Sequence, residues 1–173
     1  EVPNLLAEYV RIDLPVPVGF WRSVGASHNG FIIESFVDEL AAAAKKDPLE
    51  FRLGLLQKHP RAKRVLETAA GKAGWGKPPK KGQALGIAYH LSFETYVAHV
   101  AEVTVNADGT VRIDRIVSAV DCGTPINPDN IRSQLEGGIG FGLGAMNQAI
   151  TLKDGKVEQG HFDGFAPPRI GDM

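Results

Sequence analysis

A chain of 173 residues is long enough for one domain with a proper core, or for two small lobes sharing an interface. With 43% hydrophobic residues and 19 basic against 20 acidic side chains, it has an ordered globular balance, with neither a broad basic field for nucleic acid nor a charge bias towards anionic membranes. The single cysteine, Cys122, excludes an internal disulfide and an iron–sulfur cluster held by this chain alone, and no apolar run is long enough for membrane insertion.

Residues 1–27 are rich in Pro, Val and Gly without helical period, so extended segments and turns are expected up to Gly19-Phe20-Trp21-Arg22-Ser23-Val24-Gly25. From Asn29 to about Lys45 the apolar residues Phe31, Ile32, Phe36, Val37, Leu40, Ala43 and Ala44 recur at spacings of three and four, with Glu34, Asp38 and Glu39 between them, which predicts an amphipathic helix. Asp47-Pro48 offers a capping carboxylate followed by proline at the first helical position, so a second helix is placed over 48–57. Ala62, Val65, Leu66, Ala69, Ala70 and Ala73 space a third helix after His59-Pro60, stopped by Gly74. The stretch Gly76-Lys77-Pro78-Pro79-Lys80-Lys81-Gly82 reads as a solvated linker and the best internal boundary.

Beyond it, residues 84–92, 96–105 and 110–120 alternate or run β-branched, and Asn106-Ala107-Asp108-Gly109 supplies a hairpin turn, which together predict a meander. Asn127-Pro128-Asp129 caps a helix to about Ala145, and two short strands flank Lys153–Lys156. The expected fold class is α+β: helices, then an antiparallel meander and a glycine-rich helix, divided into a helical lobe (1–76) and a meander lobe (77–173).

Two segments carry chemical information. Glycines bracket Trp21-Arg22-Ser23 just before a helix, so main-chain N–H groups and the Arg22 cation could meet an anion; a helix-leading loop whose Arg pairs with a surface carboxylate is the plainer reading. The second runs from Val120-Asp121-Cys122-Gly123 through Asn127-Pro128 to Gln134-Leu135-Glu136-Gly137-Gly138 and on to Gly144. There Gly138 with Gly142, and Gly140 with Gly144, leave a helix face without side chains that admits another backbone or a flat ligand. Gly140-x-Gly142-x-x-Ala145 sits inside a helical pattern, not at a strand-to-helix turn, which argues against a dinucleotide site. Cys122 has no histidine nearby in sequence and reads as a buried structural thiol, and the scattered histidines lack zinc-site spacing. His90, Glu94 and His99 could face a common pocket, although local satisfaction is the commoner outcome.

These segments together resemble the molybdopterin-binding subunit of the xanthine dehydrogenase and aldehyde oxidase family, the isoquinoline 1-oxidoreductase type above all. The matching residues are 19–29, Glu34–Leu40, Asp47-Pro48-Leu49-Glu50-Phe51-Arg52, Val120–Pro128 and Gln134–Gly138. The resemblance implies a molybdenum cofactor held through its pterin dithiolene and not by protein ligands, so no metal ligand is expected among these side chains. Phe20, Trp21, Arg22, Ser23 and Gln134 are implied as cofactor-binding residues. It further implies hydroxylation of an N-heterocycle or aldehyde with oxygen from water, and electron transfer to a partner subunit carrying 2Fe–2S clusters. A glutamate base is implied in a Gly-Glu-Pro-like turn downstream of the stretch resembling Pro168–Met173.

That turn and the family's Met-Gly-Gln-Gly-like segment are not among these residues, and neither Glu94 nor Glu136 occupies the expected place. Both termini have the look of cuts, so the chain is expected to be part of a larger subunit, to hold no cofactor and be inactive alone, and to self-associate through apolar patches normally covered by the remainder. A non-catalytic binding or assembly module on the same scaffold is the alternative. Substrate and compartment are open at this stage.

Overall fold

The computed structural model describes residues 3–13 and 15–169; Glu1-Val2 and the last four residues of the Pro168–Met173 stretch lie outside the described residues. Helices α1 (Ala26–Ala43), α2 (Pro48–Leu55) and α3 (Pro60–Ala73) precede strands β1 (Gln83–Ser92), β2 (Thr95–Val105) and β3 (Val111–Asp121), followed by α4 (Pro128–Asn147) and a two-stranded hairpin of β4 (Leu152–Lys153) and β5 (Lys156–Val157). The chain is α+β, with the three long strands in a sheet of order β1-β2-β3, each pair antiparallel. It forms two compact units: residues 1–11 with 19–123, and residues 12–18 with 124–173.

Local chemistry explains each boundary. The Asp47 carboxylate accepts from the N–H groups of Leu49 and Glu50, and proline at the first position of α2 needs no partner for a missing donor. The same carboxylate accepts from Trp75 Nε1 at 3.0 Å, so one cap also ties the end of α3 to the start of α2. Gly74 closes α3 in the left-handed conformation at φ 79°, where a Cβ would be strained. Gly109 at φ 85° turns the β2–β3 hairpin, held by Asn106 and Asp108 side chains on Thr110.

The core of the first unit lies between α3 and one sheet face. Val65, Leu66, Ala69 and Ala70 from the helix meet Ile87, Ala98, Val100 and Ala119 from the strands. Alanine on both sides lets helix and sheet approach closely, with Leu66 and Val100 as the largest fully buried side chains. The stretch 77–82, where the sequence places a division between lobes, lies within the first unit and joins α3 to β1, two elements of one core.

Helix α1 departs from expectation in the face it buries. Its apolar periodicity predicts an inward stripe, yet only Ala41 is buried on this helix, and Phe31, Ile32, Ile33, Phe36 and Leu40 are exposed. For Ile32, Ile33, Phe36 and Leu40 the reason is Arg52, only 2% exposed, which draws the opposite face inward; Phe31 lies on that face and lines a cavity beside Glu34 and Asp38. Its Nε donates to Glu34 Oε2 at 2.8 Å, Nη1 to Asp38 Oδ1 at 2.6 Å and to the Pro48 carbonyl at 3.1 Å, and Nη2 to the Glu34 carbonyl at 3.0 Å. Glu34 Oε2 also accepts from the Tyr89 main-chain N–H at 2.8 Å, linking α1 to β1. A desolvated, fully partnered guanidinium outweighs apolar periodicity in setting the helix's rotation.

Candidate cofactor-binding segments

The Phe20–Ser23 loop belongs to the first unit and leads into α1. Phe20 is 96% exposed and Trp21 58%, while Arg22 and Ser23 are also on the surface. Ser23 and Val24 both adopt positive φ, 68° and 51°, a costly conformation for a β-branched residue. The Trp21 carbonyl accepts from Val24 N at 3.0 Å, and the Ser27 hydroxyl donates to the carbonyls of Arg22 and Val24. The turn is therefore held from within the first turn of α1, and no side chain caps Gly25.

Gln134 belongs to the second unit, on α4, whose N-terminus is capped by the Asn127 side chain accepting from the N–H groups of Asp129 and Asn130. Gln134 is exposed. A Cβ built on Gly137, Gly138 or Gly142 would meet nothing within 4 Å, so these glycines leave open space along the helix. Gly144 differs: its Cβ would lie 3.1 Å from Pro168 Cδ, so the chain's own proline already uses that close approach.

Other side chains singled out by sequence divide clearly. His90 and His99 do line one cavity of about 310 Å³, together with Phe31, Glu34 and Asp38 from α1. Glu94 does not line it; it sits in the β1–β2 turn at φ 60° and is exposed. His99 Nδ1 lies 2.8 Å from Ser118 Oγ, and burial lowers the imidazole's pKa below its ordinary value, favouring the neutral ring. Among the described residues no cluster of three or more His, Cys, Asp or Glu could hold a metal ion. No helix among them is long and apolar enough to cross a membrane.

Cys122 is half-exposed, not buried as the sequence suggests, because β3 ends at Asp121 and the thiol falls in the loop beyond. What sequence reading missed at this strand end is the partner of Asp121. Arg61 from α3 grips its carboxylate with two hydrogen bonds of 2.9 and 2.8 Å, and the guanidinium lies 4.3 Å from the centre of the Tyr96 ring, which stacks on Tyr89. Sixty residues separate Arg61 from Asp121, so no local pattern could pair them.

The Arg61 hydrogen bonds, with a further one from Gly123 N, hold the Asp121 carboxyl down at about 2. A carboxyl whose folded value is depressed adds stability above its unfolded value, and this stability disappears as pH falls through the folded value. Acid titration followed by circular dichroism should therefore show a loss beginning below the ordinary carboxylate range and ending near pH 2, and Asp121→Asn should flatten that limb. An unchanged acid limb in the variant would remove Asp121 from this role.

The family model for the molybdopterin cofactor-binding domain matches residues 34–173, and the chain belongs to that family. It is 32% identical to the beta subunit of isoquinoline 1-oxidoreductase from Brevundimonas diminuta over 94% of this chain and 22% of that protein. It is 33% identical to a nicotinate dehydrogenase subunit of Pseudomonas putida over 95% of this chain and 16% of that protein. A membrane-bound aldehyde dehydrogenase (pyrroloquinoline-quinone) of Gluconacetobacter polyoxogenes is 30% identical over 89% of this chain and 23% of that protein. The chain thus spans about a fifth of the length of these relatives. No solved structure matches it significantly.

Proposed function

We propose that this chain is a cofactor-binding portion of a molybdenum hydroxylase catalytic subunit, one that hydroxylates an N-heterocycle or aldehyde with oxygen from water and delivers electrons to a partner subunit carrying 2Fe–2S clusters. The observation that carries the reading is the family match running unbroken from residue 34 to 173 across helices, meander and glycine-rich helix. The substrate class follows the relatives named for isoquinoline and nicotinate, both N-heterocycles.

The residues present fit the group. Molybdopterin is anionic, and the exposed loop offers a permanent cation in Arg22 with main-chain N–H groups beside it. Phe20 and Trp21 offer exposed aromatic surface that a bound ligand can cover, excluding water from the cation. The Gln134 amide both donates and accepts, which suits a polar group with mixed demands, and the open Gly138 and Gly142 positions let a ligand approach the α4 backbone. The cofactor, when bound, supplies the two-electron redox chemistry. The base is assigned to a glutamate outside these residues, since Glu94 and Glu136 are exposed and lie in neither segment's expected turn. For that reason the isolated chain is expected neither to retain cofactor nor to turn over, and its exposed apolar side chains are expected to drive self-association.

Metal analysis of the complete gene product tests the reading. Molybdenum and oxidised-pterin fluorescence are expected at one per subunit. Arg22→Ala and Gln134→Leu should each lower cofactor affinity by roughly tenfold or more, the worth of one charge-assisted or buried hydrogen bond, with Arg22→Lys intermediate. A metal-free, pterin-free complete product ends the reading. It would favour a non-catalytic assembly module, or, should pyrroloquinoline quinone be found instead, a different redox group.

A further inference from the structure

The orientation of α1 carries an inference that stands on the fold and on the length of the relatives, independently of the cofactor assignment. An 18-residue helix in an isolated soluble domain turns its apolar stripe inward, whereas this one turns Glu34 and Asp38 to Arg52 and leaves Ile32, Ile33, Phe36 and Leu40 outside. At 100° per residue those four side chains fall on one side of the helix, opposite Glu34, Asp38 and Ala41. The reversal is fixed, since Arg52 makes three hydrogen bonds to α1 that its rotation would break. An apolar stripe held outward by a buried polar clamp is the signature of a surface that is covered in use.

We propose that this stripe is a seam to the remainder of the same subunit, and that the covering surface is apolar with a basic side chain opposite Glu39. Two observations choose this occupant. The chain accounts for 22% of the length of the isoquinoline 1-oxidoreductase relative, so most of such a subunit is available to cover it. Beside the stripe the exposed charge is Glu39, between His28 and Lys45 there is no basic residue, and Asp38 lies on the opposite side, paired with Arg52. With no basic residue along it, the stripe offers an anionic lipid surface no cation to hold, and a second copy is told apart from the remainder of the subunit by the dilution arm of the test below. An apolar surface with a cation opposite Glu39 satisfies both the stripe and its one exposed charge.

Carbene footprinting of the wild-type complete gene product, beside the 173-residue chain at low concentration and low salt, tests the seam without a variant that might fail to fold. Ile32, Phe36 and Leu40 should be labelled roughly five- to tenfold less in the complete product, the contrast between a half-exposed side chain and one buried in a core, and this protection should persist on dilution. Equal labelling in both samples overturns the proposal. So does protection that disappears on dilution, which would identify a second copy as the cover, and so does a reading frame encoding nothing beyond these residues. Molybdenum is measured on the same sample: a protected stripe in metal-free protein sinks the cofactor reading and leaves the seam standing.

Discussion

Replacing Arg52 with alanine is expected to destabilise the first unit by about 3–5 kcal/mol, the cost of breaking a buried ion pair from one side. The magnitude follows from what is left behind. Glu34 is 14% exposed at its side chain and would keep only the Tyr89 N–H as a hydrogen-bond donor, with its charge stranded beside the sheet. Asp38, 47% exposed, can turn to water, so most of the loss belongs to Glu34. Pairing Arg52→Ala with Glu34→Gln should recover part of it, because the neutral amide oxygen can still accept from Tyr89 and no charge remains to be desolvated. Urea unfolding of the four members of this cycle measures the coupling. A loss under about 1 kcal/mol for Arg52→Ala would mean that water replaces the guanidinium, and that α1 is not clamped as described.

Leu66→Ala is the second large expected effect, about 2–5 kcal/mol. Leu66 is completely buried between α3 and the sheet, and its neighbours Ala69, Ala70, Ala98 and Ala119 have no flexible side chains that could swing into the space. A site ringed by alanine and β-branched residues relaxes poorly, which places the cost towards the upper part of that range. Thermal unfolding should show it as a drop in midpoint without loss of the hairpin's β signal at low temperature. A variant within about 1 kcal/mol of wild type would mean that α3 moves onto the sheet to fill the void.

Where periodicity and caps act locally, the chain could be read residue by residue. Asp47-Pro48, Asn127-Pro128, Gly74 and Gly109 each perform at their own position the task their chemistry implies, so the capped helix ends and the meander were legible, whereas α1, expected from Asn29, begins at Ala26 without a side-chain cap. What pattern alone could not supply was direction. The apolar spacing of α1 is real, but which side faces inward was decided by Arg52, which meets Glu34 from 18 residues away. The Arg61–Asp121 bridge escaped for the same reason, being a contact between a helix start and a strand end that only the tertiary fold creates. Likewise His90 and His99 could be guessed as neighbours from strand alternation, while Glu94 was removed by a turn geometry that alternation does not encode. The Trp21-Arg22 loop was legible as a motif and no further, because a cation on a loop acquires meaning only from what binds it.

The hydrogen bond from Tyr89 N to Glu34 has a bearing on how the sheet ends. Among the described residues strand β1 pairs with β2 alone, so its other margin presents main-chain groups to which a foreign strand could dock. The Glu34 carboxylate occupies, at Tyr89, the place an incoming strand's carbonyl would take. One acidic side chain thereby acts as a stopper against templated growth of the sheet, and its loss would expose the chain to fibril-like stacking as well as to unfolding.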